Sequence, residues 1–193
     1  MTDSTELGEH DQKWLLGLAR RTLENLKETG CEKPPEAEVV TPPIPEAVLA
    51  PSGVFVTLHQ QKTLRGCIGY VMPVMPLYRA VIENAANAAR DDPRFPPVSL
   101  EEVPTVWIEI SVMSPPRAIH SIEEIQVGRD GLIVGSGFSR GLLLPQVAVE
   151  YGWDRQTFLT HTCQKAGLPP DAWREEKTRI EIFSAQVFSE PHQ

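Results

Sequence analysis

The chain has 193 residues, of which 41% are hydrophobic, and this is enough to bury one sizeable core. Its 18 basic and 26 acidic residues give a formal net charge of -8, which repels a phosphate backbone, so no nucleic-acid partner is expected. The acidic N-terminal residues, the lack of a long apolar run and three widely spaced cysteines predict a protein of the cytoplasm without a membrane partner.

The N-terminal third is predicted to hold one helix and one irregular crossing. Apolar residues recur with helical spacing over residues 11–29, and Gly30 follows as a C-terminal stop. Residues 32–51 then contain six prolines, which restrict the backbone and remove hydrogen-bond donors, so this stretch is predicted to be extended and irregular.

A hairpin and a helix are predicted next. Residues 53–59 and 64–70 have strand composition and are separated by the polar residues 60–63, which indicates a four-residue loop. Pro76 opens a helix that carries small alanines on one face and ends at Asp92-Pro93.

The remaining elements complete an α+β pattern. Residues 105–113 alternate between apolar and more polar side chains, as in a half-buried strand. Residues 155–166 indicate a helix, and 179–188 a closing strand with a bulge near Phe183. We expect one domain over residues 1–193, with a mainly antiparallel sheet, flanking helices and a smaller second lobe at roughly 117–150.

The segment 64–69, Leu-Arg-Gly-Cys-Ile-Gly, is the most specific motif in the chain. On a strand, Arg65 and Cys67 share one face, and a guanidinium beside a thiol favours the reactive thiolate. Gly66 and Gly69 leave the backbone open to a close ligand. The alternative is that Cys67 is a small buried side chain and that the glycines make a bulge or allow tight packing.

Other side chains could assist Cys67. Candidates for a general base are His59, on the partner strand, together with His120 and His161. Glu109 is a weaker candidate for an acid or base, because a half-exposed strand face normally carries a carboxylate without function. A further set of residues is predicted to bind a ligand, because an arginine fork suits a carboxylate or phosphate and His59 lies near the motif. These binding candidates are Gly66, Gly69, Arg94, Arg140 and His59.

The sequence predicts no metal site and specifies no cofactor. His161 and Cys163 are two residues apart on a helix and point in different directions, and Cys163 lies on the buried stripe. Cys31 follows the helix-ending glycine and is expected at the surface. The glycines at 131–141 lack the spacing of a phosphate-binding loop, which argues against a nucleotide-binding fold.

The motif at 64–69 resembles the signature of the AMMECR family, and further segments match family blocks in the same order over about 14–188. They are the helix 76–90, Asp92-Pro93-Arg94-Phe95, 110–116, 140–146 and 158–168. The resemblance implies a compact α+β fold with the cysteine motif near the junction of a larger and a smaller lobe. It also implies association with a Memo-type protein, which resembles non-haem iron dioxygenases, and with a radical SAM protein.

Two functions remain open at this point. The first is an enzyme or thiol carrier in which Cys67 reacts, Arg65 favours its thiolate, and Arg94 or Arg140 binds an anionic substrate. The second is a non-catalytic adaptor that holds a peptide or small ligand in the same cleft. The reactivity of Cys67 distinguishes them. The reaction and the substrate are not determined by the residues.

Overall fold

A computed structural model describes residues 6–26 and 36–191, which divide into two compact units. Unit 1 comprises the described residues up to Met113 and those from Gln186 onward, and unit 2 is Ser114–Ala185. Unit 2 is therefore longer than the lobe predicted at 117–150. The extra length arises because the last helix and half of the last strand pack into its core.

Unit 1 is built from helices and antiparallel strands. Its elements are α1 (Glu9–Glu24), α2 (Glu36–Val39), β1 (Gly53–Gln60), β2 (Thr63–Tyr70), α3 (Leu77–Arg90) and β3 (Trp107–Met113). The final strand, β7 (Arg179–Ser189), contributes its C-terminal end, and the strand order is β2-β1-β3-β7. The prediction of an α+β fold with a mainly antiparallel sheet is confirmed.

The core of unit 1 lies between one face of the sheet and the helices α1 and α3. Alternate residues of β1 and β3 are almost completely buried there: Val54, Val56, Leu58, Ile108, Ile110 and Val112. The small alanines of α3 let this helix lie close to the strands, as the sequence predicted. The opposite face of β1, β2 and β3 carries the more polar side chains, among them Thr57, Cys67 and Glu109.

The β1–β2 connection is shorter than predicted. Gln60 pairs with Thr63, whose Oγ1 donates to the Gln60 carbonyl at 2.7 Å, so the loop contains only Gln61 and Lys62. Both residues have positive φ, 49° and 64°, the pattern that a two-residue type I′ turn requires. Four loop residues were predicted because residues 60–63 are all polar and separate two runs of strand composition.

A β-bulge changes the register within the same hairpin. His59 pairs with Leu64 but Leu58 pairs with Gly66, so Arg65 is an additional residue without a partner on β1. The shift places Cys67 opposite Thr57. The bulge therefore decides which residues surround the thiol.

Two N-terminal predictions need correction. Helix α1 ends at Glu24 instead of residue 29, because Asn25 leaves the helical conformation and its side chain caps the Arg21 carbonyl at 2.8 Å. The proposed stop Gly30, like Cys31, lies outside the described residues. The proline-rich crossing includes the short helix α2, whose Glu36 pairs with Arg79 at 2.9 Å.

Unit 2 contains β4 (Arg117–Ala118), β5 (Asp130–Ser136), β6 (Ser139–Leu143), α4 (Pro145–Glu150), α5 (Arg155–Lys165) and the first part of β7. Its core is formed by side chains of β5, α5 and β7, including Leu132, Phe158 and Ile182. The pairing of β5 with β7 is regular over Arg179–Ser184, so the bulge predicted near Phe183 is absent from this ladder. The apolar phase changes because Ile180 and Ile182 pack in the core of unit 2, whereas Phe183, on the other face of the strand, is buried with its ring beside Gly131.

Candidate functional site

The thiol of Cys67 has a polar neighbour. The Oγ1 hydroxyl of Thr57 donates to Sγ at 3.3 Å, and these two residues are direct partners across β1 and β2. Cys67 is half-buried, on the sheet face opposite the apolar core. A hydroxyl that donates to sulfur stabilises the thiolate more than the thiol. The surroundings of this cysteine therefore differ from those of a purely packing residue.

Two further side chains continue the row across the sheet. Glu109 on β3 is the partner of Thr57 on its other side, and His59 Nε2 lies 4.0 Å from Glu109 Oε1. The imidazole of His59 stacks on the Trp107 indole with ring centroids 4.0 Å apart. We call Cys67, Thr57, Glu109 and His59 the thiol row. It combines a nucleophile, a hydroxyl and two groups able to exchange protons.

The backbone of Cys67 is held by a buried carboxylate. Asp92 Oδ2 accepts the Cys67 N–H at 2.8 Å, and Asp92 is 4% exposed. The Arg94 guanidinium also binds this carboxylate, through Nε to Oδ1 at 2.9 Å and Nη2 to Oδ2 at 2.7 Å. Chiefly because of these Arg94 bonds, the pKa of Asp92 lies well below its ordinary value, although burial acts in the opposite direction. Asp92 and Arg94 thus fix the position of Cys67 in its strand.

Arg65 has different contacts from those the sequence suggested. Its guanidinium forms a two-pronged ion pair with Glu102, at 3.0 and 3.1 Å, and donates to the carbonyls of Pro96 and Pro97. The described hydrogen bonds of Arg65 all go to these groups and none goes to Sγ of Cys67. Arg65 therefore joins the bulge in β2 to residues 96–102.

Both glycines of the motif are in contact with other parts of the protein. A Cβ on Gly66 would lie 2.1 Å from the Ala88 carbonyl oxygen in α3. A Cβ on Gly69 would lie 2.3 Å from the Val54 carbonyl oxygen and 2.6 Å from the Phe55 ring. The space beside each glycine is therefore already occupied, by a helix in one case and by β1 in the other. Close packing accounts for both positions.

The remaining candidates lie in unit 2, whereas the thiol row lies in unit 1. Arg140 on β6 pairs with Glu181 on β7 at 3.2 Å. His120 is exposed in a loop, and the His161 ring stacks on Trp153 with centroids 4.0 Å apart. Cys163 is fully buried in the core, and burial raises the pKa of its thiol.

The comparisons with known proteins agree on one family. The AMMECR1 family model matches residues 16–188. Protein PF1979 of Pyrococcus furiosus is 48% identical over 190 residues, covering 93% of this chain and 88% of its own. Protein MJ0810 of Methanocaldococcus jannaschii is 50% identical over 161 residues, covering 79% and 80%. The crystal structure of the uncharacterized protein PH0010 from Pyrococcus horikoshii has a TM-score of 0.79 at 43% identity, covering 96% and 94%.

This chain belongs to the AMMECR1 family. The resemblance seen in the motif at 64–69 and in the segments around it is thereby confirmed. The AMMECR1 relatives are uncharacterised, so their names supply no reaction, cysteine chemistry or partner.

Several contacts of this AMMECR1 family site were missed by the sequence analysis. Thr57 was overlooked because Gly66, next to Arg65, is compatible with a bulge but does not determine which residue of β1 lies opposite Cys67. Asp92 was interpreted only as a helix end, and Glu102 was not considered. The motif Asp92-Pro93-Arg94 contained one usable signal, since a carboxylate two residues before an arginine can form a local ion pair.

No helix within 6–26 and 36–191 is both long and apolar enough to cross a membrane. In the same part of the chain, no three His, Cys, Asp or Glu side chains are grouped so that they could hold a metal ion.

Proposed function

We propose that this AMMECR1 family member is a cysteine-dependent enzyme or thiol carrier in which Cys67 is the reacting group. The observation that carries the proposal is the hydrogen bond of 3.3 Å from the Thr57 hydroxyl to Sγ. It supports a reactive thiol because a free cysteine in a packing role needs no donor at its sulfur. Glu109 and His59 in the same row are the groups that would exchange its proton.

The charges near Cys67 determine how the thiolate would be stabilised. Both neighbouring arginines are paired with carboxylates, Arg65 with Glu102 and Arg94 with Asp92. In each pair the carboxylate largely neutralises the arginine, so neither guanidinium offers a full positive charge to the Cys67 sulfur. Asp92 is the main cause of the raised pKa of Arg94, and Cys67 adds only a small contribution. We therefore assign thiolate stabilisation mainly to Thr57, and a positioning role to Arg65 and Arg94. Arg94, whose side chain is 54% exposed, is also the arginine available to a carboxylate on a substrate.

An acyl transfer shows how the thiol row would act. The Cys67 proton passes to Glu109 or His59, and the thiolate attacks the acyl carbon. A sulfur–carbon bond forms, the bond to the leaving group breaks, and the leaving group takes up the proton. The product is a thioester on Cys67, which water or a second acceptor then cleaves.

The wider setting of the proposal comes from the family resemblance. It implies that the protein acts together with a Memo-type protein and a radical SAM protein, and the composition predicts that it does so in the cytoplasm. A non-catalytic adaptor for such a partner is the alternative function. An adaptor would not require an alkylatable Cys67, so the two functions predict different thiol reactivity.

The test is alkylation of the native protein with iodoacetamide, followed residue by residue by mass spectrometry over a range of pH. Cys67 is expected to react faster than Cys163, whose buried thiol has a raised pKa. Thr57→Val keeps the shape but removes the donor, and should slow Cys67 labelling at neutral pH by about fivefold.

Ser111→Ala is the matched control. Ser111 is a buried hydroxyl on the same sheet face, but its β1 partner is Phe55 instead of Thr57. This variant should label Cys67 at the wild-type rate. The enzyme proposal is wrong if native Cys67 is as inert as Cys163, or if Thr57→Val and Ser111→Ala have equal effects.

A further inference from the structure

A cavity with a volume of about 750 Å³ lies in unit 1 at the β1–β2 turn. Its walls include Gln61 and Lys62 from the turn and Trp107 from β3. A volume of this size is typical of small-molecule sites, which combine apolar walls with a few polar groups. We call it the turn cavity. The binding proposed for it below does not depend on the chemistry of Cys67.

The conformation of the turn indicates that its side chains have a role. Gln61 and Lys62 both have left-handed backbone angles, which glycine or asparagine adopts with less strain. Each such residue strains the backbone, because its Cβ lies too close to the following carbonyl oxygen. An Asn-Gly pair would avoid most of this strain and would form the same turn. The chain instead places two long polar side chains at the mouth of a cavity.

The two cationic side chains in the wall of the turn cavity differ in whether they already have hydrogen-bond and ion-pair partners within the protein. Arg20 is bound to the Glu190 carboxylate and to the carbonyls of Val103 and Val106 at 2.7 and 2.8 Å, so its charge and donors are used. Lys62, in contrast, has no hydrogen bond or ion pair with the described residues. Its ammonium group is the cation available to a ligand.

The apolar part of the cavity wall includes an indole and two proline rings. Trp107 is held by stacking on His59, and Pro104 and Pro191 are further wall residues with restricted backbones. An aromatic or other planar body can pack against an indole and proline rings with little loss of side-chain entropy. The exposed Glu24 is also in the wall and repels anions, so an anionic group would lie on the Lys62 side.

We propose that the turn cavity binds a small organic anion with a flat apolar body, whose anionic group pairs with Lys62 and whose body packs against Trp107. The chain as a whole carries a formal charge of -8, so an anion gains nothing from the overall field and depends on this local cation.

The probe is 2-naphthoate, with neutral 2-naphthamide as its matched isostere, titrated into the full-length protein by calorimetry. Wild type should bind naphthoate saturably and more tightly than naphthamide. Lys62→Gln should weaken naphthoate by about tenfold and leave naphthamide unchanged, since only the anion loses a charge-assisted contact. Lys13→Gln removes an exposed lysine of α1 outside the cavity wall and should change neither affinity.

A second variant tests the interpretation of the strain. Lys62→Gly relieves the left-handed backbone, so it should raise the midpoint of urea unfolding while naphthoate binding is lost. The proposal is overturned if wild type shows no saturable binding of either probe. It is also overturned if Lys13→Gln weakens naphthoate as much as Lys62→Gln does, or if Lys62→Gly is stabilised and binds naphthoate at the wild-type affinity.

Discussion

Gly66→Ala tests whether the motif glycine serves packing or ligand approach. The added Cβ would meet the carbonyl oxygen of Ala88 at 2.1 Å and its carbonyl carbon at 3.1 Å. Real Cβ atoms essentially never approach other atoms closer than 3.0 Å, so α3 or β2 would have to shift. The obstacle is helix backbone in the core, with Ala88 only 2% exposed, and it has no rotamer that could relieve the contact.

We expect this variant to be among the more damaging single substitutions. Overpacking a core typically costs about 1–3 kcal/mol, and because the obstacle is backbone, Gly66→Ala should lower the unfolding free energy by roughly 3 kcal/mol. For a chain of this size, that loss lowers the melting temperature by roughly 6–12 °C. Urea unfolding followed by circular dichroism gives the free energy, and calorimetry gives the melting temperature.

Gly17→Ala is the matched control and should have the opposite sign. Gly17 lies inside α1, where its new Cβ would meet only the flexible end of Arg21, at 3.2 Å. An alanine there should stabilise the helix by roughly 0.5–1 kcal/mol. If Gly66→Ala unfolds within about 0.5 kcal/mol of wild type, the packing explanation is wrong. Ligand approach would then be the better account of Gly66.

Two further predictions concern the ion pairs around the motif. The pKa of Asp92 is lower in the folded protein than in the unfolded chain, where it is about 4. The charged carboxylate therefore stabilises the fold at pH values above about 4, and this stabilisation is lost as the pH falls through the folded-state pKa. Asp92→Asn should therefore be less stable than wild type at neutral pH but lose less stability on acidification, and parallel pH profiles of the melting temperature would contradict this. Arg65→Met should lower the unfolding free energy by roughly 1–3 kcal/mol and disturb Cys67 labelling more than Arg65→Lys, because it leaves Glu102 without its cation. Equal effects of the two variants on both measurements would show that the ion pair is not what holds the bulge.

Local patterns were enough to predict most of the elements. The alternation around β3 and the helical stripe of α5, with Cys163 on its buried side, depend only on side-chain periodicity and burial. The hairpin was also predicted, since two strand-like runs flank a short polar segment. The positions of these elements along the chain could therefore be predicted from the sequence alone.

The surroundings of Cys67 were decided only in the tertiary structure. With the regular register that starts from His59 and Leu64, Cys67 would face Val56 on the core side and Arg65 would face Leu58. The bulge avoids burying that guanidinium, because Arg65 instead binds Glu102, which lies 37 positions further along the chain. The sequence determined that a cysteine lies on β2. That Thr57 is the neighbour of this cysteine was decided by two tertiary effects: the energetic cost of burying the Arg65 charge, and the binding of Arg65 to partners distant in sequence.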